Sequence, residues 1–225
     1  MPTTQRVISW FSLLSMVLAV APLRADEELA ERVQNATEAY SDLVKAPDKG
    51  VPKKLLDDCK CIAVIPHVVK GAFVVGGRHG KGIVSCRGKD GSWSPPAFLT
   101  VSGGSFGFQI GGSSTDVVMF LMSEKGARSL LKSEFTLGAD ASVAAGPVGR
   151  TAEAATDVRL DAEIYAYSRT KGLFAGVALD GASVNPDEDA VKEYYGESIP
   201  PETILFKHEV LKVPAEAKSF LQQLP

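Results

Sequence analysis

The sequence predicts an α+β fold: a curved antiparallel β-sheet, or a small barrel or sandwich, with flanking helices at the N- and C-termini. Three observations carry this expectation. Between Ala97 and Met122 apolar residues alternate with small ones, Ala97, Leu99 and Val101 in one parity and Phe106, Phe108 and Ile110 in the other, with Gly103-Gly104 between them. A period of two broken by paired glycines is that of consecutive antiparallel strands with tight or bulged connections. Val117 to Met122 is apolar at both parities, so this third strand is expected to be covered on both faces. Near the two ends of the chain the apolar spacing changes to three and four, which is helical.

Taken in order, the first 25 residues read as an address. Arg6 precedes the apolar run Val7 to Ala21, and Ala25 stands before Asp26-Glu27-Glu28, the pattern of a secretory signal peptide. Cleavage is expected after Ala25, although Leu23 is a less usual residue two positions earlier; Ala19 and Ala21 obey the small-residue rule better, but Pro22 would follow that cut. The alternative is an uncleaved anchor. The run is short for a membrane span.

Residues 26–225 then read as a single domain: a helix over 26–45, a core over 52–200 and a closing helix over 214–224. In the first helix Leu29, Val33, Ala36, Tyr40 and Leu43 form an apolar stripe, and acidic residues crowd its start. Pro52 opens a short second helix ending near Cys59. Cys61 to Ile65 is a buried strand that Pro66 is expected to stop. Gly71–Gly76 and Lys81–Arg87 flank Gly77-Arg78-His79-Gly80, which reads as a hairpin with a basic tip.

After the central strands, Ser123 is the cap of a helix through Lys132. Phe135 to Ala145 is the longest alternating run and reads as one strand with a wet face; Val158 to Ala166 repeats the alternation. Arg169 to Gly172 is a turn into Leu173–Leu179, a second hairpin. Asn185-Pro186-Asp187 starts a helix that Gly196 ends, and Pro214 opens the last one, with Ala217, Phe220, Leu221 and Leu224 as its apolar face.

Charge is unevenly spread. Without residues 1–25, which carry Arg6 and Arg24 and no acid, the net charge is about −5. Yet from Lys49 to Lys89 basic residues far outnumber Asp57 and Asp58, so this segment is the expected anion-facing surface, and the acidic remainder argues against a nucleic-acid partner. Lys53, Lys54 and Lys60 lie on or beside the second helix; Lys70, Arg78 and Lys81 lie on or near the first hairpin. Their convergence on one surface would make a lipid-binding site, and their dispersal a solvated face. Each cation near an anionic leaflet gains on the order of 1 kcal/mol, within about a Debye length.

Signals for catalysis are weak. Gly103-Gly104-Ser105-Phe106-Gly107 matches G-x-S-x-G, but strand-like sequence follows where the nucleophile elbow needs a helix. His67, His79 and His208 fall at no zinc spacing. The Gly77–Gly82 stretch has neither P-loop nor dinucleotide spacing. No catalytic residue, metal or cofactor is expected. Cysteine use suits one bridge in an exported protein: Cys61 with Cys86 across the sheet is the expected pair, with Cys59 the competitor, and three reduced thiols or a metal site at Cys59-x-Cys61 as the alternatives.

Several motifs occur in a characteristic order: Pro47-Asp-Lys-Gly-Val-Pro52, Cys61-Ile-Ala-Val-Ile-Pro66, Lys70-Gly-Ala-Phe-Val-Val-Gly-Gly77, Trp93-Ser-Pro-Pro-Ala-Phe98, Gly103-Gly-Ser-Phe-Gly-Phe-Gln-Ile-Gly111 and Thr115-Asp-Val-Val118. Gly146-Pro-Val-Gly149, Lys171-Gly-Leu-Phe-Ala-Gly176 and Tyr194-Tyr-Gly196 follow. Over roughly residues 40–200 the chain resembles the SYLF domain family. The resemblance implies a non-enzymatic lipid-binding module, which engages phosphoinositides in eukaryotic members and actin also in a yeast branch.

With its leader the chain resembles the secreted bacterial branch, periplasmic or associated with the cell envelope. Actin and phosphoinositides are then not the expected partners, and an anionic phospholipid at a membrane surface is. The rival expectation is a structural or protein-interaction module of the envelope, with Tyr165, Tyr167, Tyr194 and Tyr195 on a contact surface.

Overall fold

The computed structural model describes residues 21–46, 51–72, 75–106, 111–133, 135–147, 161–170, 173–177, 179–210 and 212–225. The apolar leader run before Ala21, Lys49, Phe108, Ile110, Val158 and Leu160 lie outside the described residues. Nine strands are described: β1 (Cys61–Ala72), β2 (Val75–Cys86), β3 (Ala97–Phe106), β4 (Gly111–Leu121), β5 (Phe135–Thr136), β6 (Val143–Ala145), β7 (Ile164–Thr170), β8 (Leu173–Gly176) and β9 (Ser183–Pro186). They form one curled sheet, a half-barrel, in the order β5-β9-β3-β2-β1-β4-β7-β6, with β8 beside the second half of β7. All pairs are antiparallel except β6 with β7. The expected α+β architecture is the one observed.

Helices flank this sheet: α1 (Ala21–Val44), α2 (Lys53–Asp58), α3 (Glu124–Ser129), α4 (Glu188–Tyr195) and α5 (Ala215–Leu221), with a π-helical turn at Thr203–Lys207. Their ends follow local chemistry. Ser123 Oγ accepts the Gly126 N–H at 2.9 Å and so caps α3, and the Asp187 carboxylate accepts the Ala190 N–H at 3.3 Å at the start of α4. Gly196 ends α4 in the left-handed conformation, φ 77°, where a side chain would be strained. The backbone of α1 runs through the expected cleavage position.

Register sorts the sheet into two buried faces. Ile62, Val64, Ile83, Phe98, Val118, Phe120 and Tyr167 share one face, and α1 packs across it, with Ala39 and Leu43 against Val118 and Tyr167. Cys61, Ala63, Ile65, Val84, Leu99, Met119 and Leu121 share the other and are equally buried. That is the double coverage expected for Val117–Leu121. α5 closes over α1 through an edge-to-face contact of Tyr40 with Phe220, ring centroids 6.4 Å apart.

Four expectations are corrected. Pro66 does not stop β1: the strand continues to Ala72 through a bulge where the register slips between Val64 and Val69 against β2 and between Ile65 and Val68 against β4. A bulge tolerates the missing N–H of proline, and His67 beside it takes a left-handed φ of 53°. Gly77-Arg78-His79-Gly80 is not a hairpin tip but the middle of β2, and the chain reverses between Ala72 and Val75. The glycines here serve a close approach instead, for a Cβ at Gly82 would collide with the carbonyl oxygen of Val64.

The run Phe135–Ala145 is not one strand. Gly138, φ 87°, and the Asp140 carboxylate, which accepts the Thr136 N–H at 2.7 Å, bend it into a loop between β5 and β6. These are the two outer strands of the sheet, joined by six residues, so its edges stand within about 25 Å of each other and the sheet must curl. Finally, burial removes Tyr165 and Tyr167 from the expected contact surface. Tyr165 and Tyr167 are core residues, and Tyr194 and Tyr195 are partly buried, their hydroxyls donating to Glu216 and to the Pro96 carbonyl.

Candidate functional site

The six predicted basic residues separate into two groups at opposite ends of β1. Lys53 and Lys54 project from α2 and Lys60 follows it, at the Cys61 end. Lys70 and Arg78 stand directly opposite each other in the β1–β2 register, near the Ala72 end. At about 3.3 Å per residue Lys60 and Lys70 are on the order of 30 Å apart, several Debye lengths, so the groups act independently.

At the first end the charge is largely answered. Lys53 pairs with Asp57 at 2.7 Å and Lys54 with Asp58 at 2.6 Å, both one helical turn on, so α2 carries nearly no net charge. Lys60 is exposed and has no acidic partner among the described residues. Arg87, from the same basic segment, is consumed structurally: it donates to the carbonyls of Asp57, Leu56 and Pro225, and its guanidinium lies 4.8 Å from the Trp93 ring centre. Trp93 Nε1 donates to Pro225 as well, at 2.8 Å.

Here too Cys61 and Cys86, facing each other in register, form a disulfide, and buried Cys59 is the free thiol. Burial pushes the Cys59 thiol up to about 12, so it is a packed, unreactive group.

At the second end the cations are not answered. Lys70 and Arg78 share a face of the sheet, half-buried, and neither has a carboxylate partner among the described residues. Arg78 passes over Gly103 of β3, and its buried Nε finds no hydrogen-bond partner. Lys81 points to the other face, where α1 lies, and reaches Glu28 at 3.5 Å. It therefore belongs with neither group. Asp116 nearby is occupied: it accepts the N–H of His67 at 3.0 Å and lies 3.8 Å from Arg169, which also pairs with Asp42 of α1.

Val69 and Leu173, 56% and 67% exposed, are the exposed large hydrophobic residues of the described chain. Both lie at this end of the sheet, on either side of β4.

One buried charge escaped the sequence reading. Arg32 of α1, only 7% exposed, pairs with Asp187 at 2.8 Å, donates to the Leu99 carbonyl and stacks over Phe98. Desolvation lowers its pKa from the usual guanidinium value, against the raising effect of Asp187. Its signal was its place between Leu29 and Ala36, on the apolar stripe. It is a strut tying α1 to β3 and α4.

Ser105, the serine of the G-x-S-x-G match, lies in β3 with its backbone paired to Gly76. Among the described residues no group of three His, Cys, Asp or Glu is placed to hold a metal ion. No helix of the described residues is long and apolar enough to cross a membrane.

Comparison with known proteins gives the relationship. Residues 102–225 match the family Ysc84, described as "Las17-binding protein actin regulator". Protein YSC84 of Saccharomyces cerevisiae is 38% identical over 182 residues, 79% of this chain and 38% of the yeast protein. LAS seventeen-binding protein 3 of the same yeast is 37% identical over 163 residues, 70% of this chain and 35% of that protein. SH3 domain-containing YSC84-like protein 1 of Xenopus laevis is 36% identical over 180 residues, 79% of this chain and 53% of the frog protein. The chain thus spans about half or less of these relatives, whose family is one of regulators rather than of known enzymes. With more than half of its length matched, this chain belongs to the Ysc84, or SYLF, family.

Proposed function

We propose that this chain is a non-enzymatic module, exported and associated with the cell envelope, that contacts anionic phospholipid head groups. The observation that carries the reading is the Lys70–Arg78 pair: two adjacent cations held on one sheet face with no carboxylate among the described residues to neutralise them. Holding such a pair unneutralised is unfavourable unless an anion from outside answers it. Lys60 adds a separate, weaker contact at the far end, while Lys53, Lys54 and Lys81 are spent on Asp57, Asp58 and Glu28. The exported address is supported by the leader pattern Arg6 to Ala25 and agrees with the Cys61–Cys86 bridge.

The test is co-sedimentation with vesicles of phosphatidylcholine alone or with phosphatidylglycerol or cardiolipin, at low and high salt. Replacing Lys70 and Arg78 by Ala is expected to weaken binding to anionic vesicles about 30-fold, from on the order of 1 kcal/mol per cation. Absence of binding to any anionic vesicle at low salt overturns the reading.

A second reading, a protein-interaction module, is favoured by the names of the relatives, which speak of Las17 binding, actin regulation and SH3 domains. Those words weigh against setting actin aside, which rests on the exported address alone. Capture of purified filamentous actin by the chain, insensitive to vesicles, would establish this second reading.

A further inference from the structure

We infer that the chain meets an anionic bilayer end-on, with the Val69 and Leu173 end of the sheet entering the head-group layer and Lys70 and Arg78 holding phosphates at its level. The inference rests on the lipid-contact reading above and adds to it the part of the molecule that enters. Strand pairing brings the relevant ends together: β1 reverses into β2 after Ala72, β4 begins at Gly111 beside Ala72, and β7 ends at Thr170 paired with Leu173. Across the sheet Val69 faces Ser114 of β4, while Asp116 faces Arg169, one residue before Thr170. The two exposed apolar side chains thus flank β4 within a few strand spacings of the Lys70–Arg78 pair.

Apolar residues beside unneutralised cations are the pairing an anionic interface selects, the first for the acyl boundary and the second for phosphate. The nearby carboxylate of Asp116 does not cancel the pair, being engaged by His67 and Arg169. The opposite end has a different character: its lysines on α2 are paired, Lys60 alone is not, and Trp93 donates to the Pro225 carbonyl.

The chain from Asp26, as left by the expected cleavage, keeps Trp93 as its one tryptophan and as a reference at the far end, and Leu173→Trp adds a reporter at the near end. Vesicles of phosphatidylcholine with phosphatidylglycerol, brominated on the upper acyl chain, are expected to quench emission from position 173 and to leave Trp93 unaffected. Lys70→Glu with Arg78→Glu is expected to abolish that quenching, and Lys53→Glu with Lys54→Glu to leave it. Val69→Ser, at an exposed position that folding does not need, is expected to reduce it.

Binding to anionic vesicles with position 173 unquenched, or with Trp93 quenched instead, overturns end-on entry and leaves the lipid reading standing. Loss of all vesicle binding overturns both. Emission at position 173 that shifts blue with protein concentration in the absence of vesicles, and stays unquenched in their presence, overturns the inference in favour of a second copy of the chain.

Discussion

The two ends of the central strands are built from the same sequence segment and have opposite characters. At the Cys61 end most strong groups are matched, Lys60 excepted: a disulfide joins β1 to β2, Lys53 and Lys54 meet Asp57 and Asp58, and Arg87 and Trp93 hold the Pro225 carbonyl. At the Ala72 end, glycines thin the sheet, Lys70 and Arg78 lie side by side without acidic partners among the described residues, and Val69 and Leu173 face outward. Density of basic residues along the chain therefore says little about potential. What matters is which cations folding leaves unneutralised.

Four measurements test the contrast between the two ends. The largest effect belongs to the sealed core beside α1. Phe98 is buried, with Arg32 stacked on it and Tyr194 edge-on at 4.9 Å, and Phe98→Ala is expected to cost about 3–5 kcal/mol in chemical denaturation. A loss below about 1 kcal/mol would mean that the α1 face is not packed as described.

Next comes the bridge. Non-reducing peptide mapping is expected to find Cys61 linked to Cys86, with Cys59 free, and replacing both bridge cysteines by Ser to cost about 2–4 kcal/mol. Stability that reductant leaves unchanged would remove the disulfide from the sealed end.

Alkaline pH probes the buried phenols. Burial raises the phenols of Tyr40, Tyr167, Tyr194 and Tyr195, and at Tyr194 Glu216 raises it further. A folded pKa above the unfolded value means stability that is complete below about pH 10 and lost as pH rises above it. Ionisation of these four phenols is therefore expected to appear together with unfolding. Their ordinary titration near pH 10 in a folded protein would contradict their burial.

The smallest effect is expected at the open end, where Leu173→Ser and Val69→Ser should change stability by less than about 0.5 kcal/mol. A larger loss at either would show that these side chains serve the fold rather than an outside surface.

Helix ends and strand alternation were legible because they depend on neighbours in sequence. Ser123, Asp187, Gly196 and Pro214 mark helix boundaries through their own side chains or backbone preferences, and the apolar run Val117–Leu121 announces a strand buried on both faces. The motif order was enough to reach the family. Three features were decided by tertiary structure alone. Pro66 lies inside β1 because a bulge absorbs it, and the alternating run 135–145 divides because its two halves pair with different edges of a curled sheet. The cations of one basic segment part by the length of a strand, because β1 carries Lys60 and Lys70 to opposite ends while Asp57 and Asp58 neutralise only their helical neighbours. A pattern along the chain records what each residue prefers; which charges meet, and which are left facing outward, is set by the strands that folding makes adjacent.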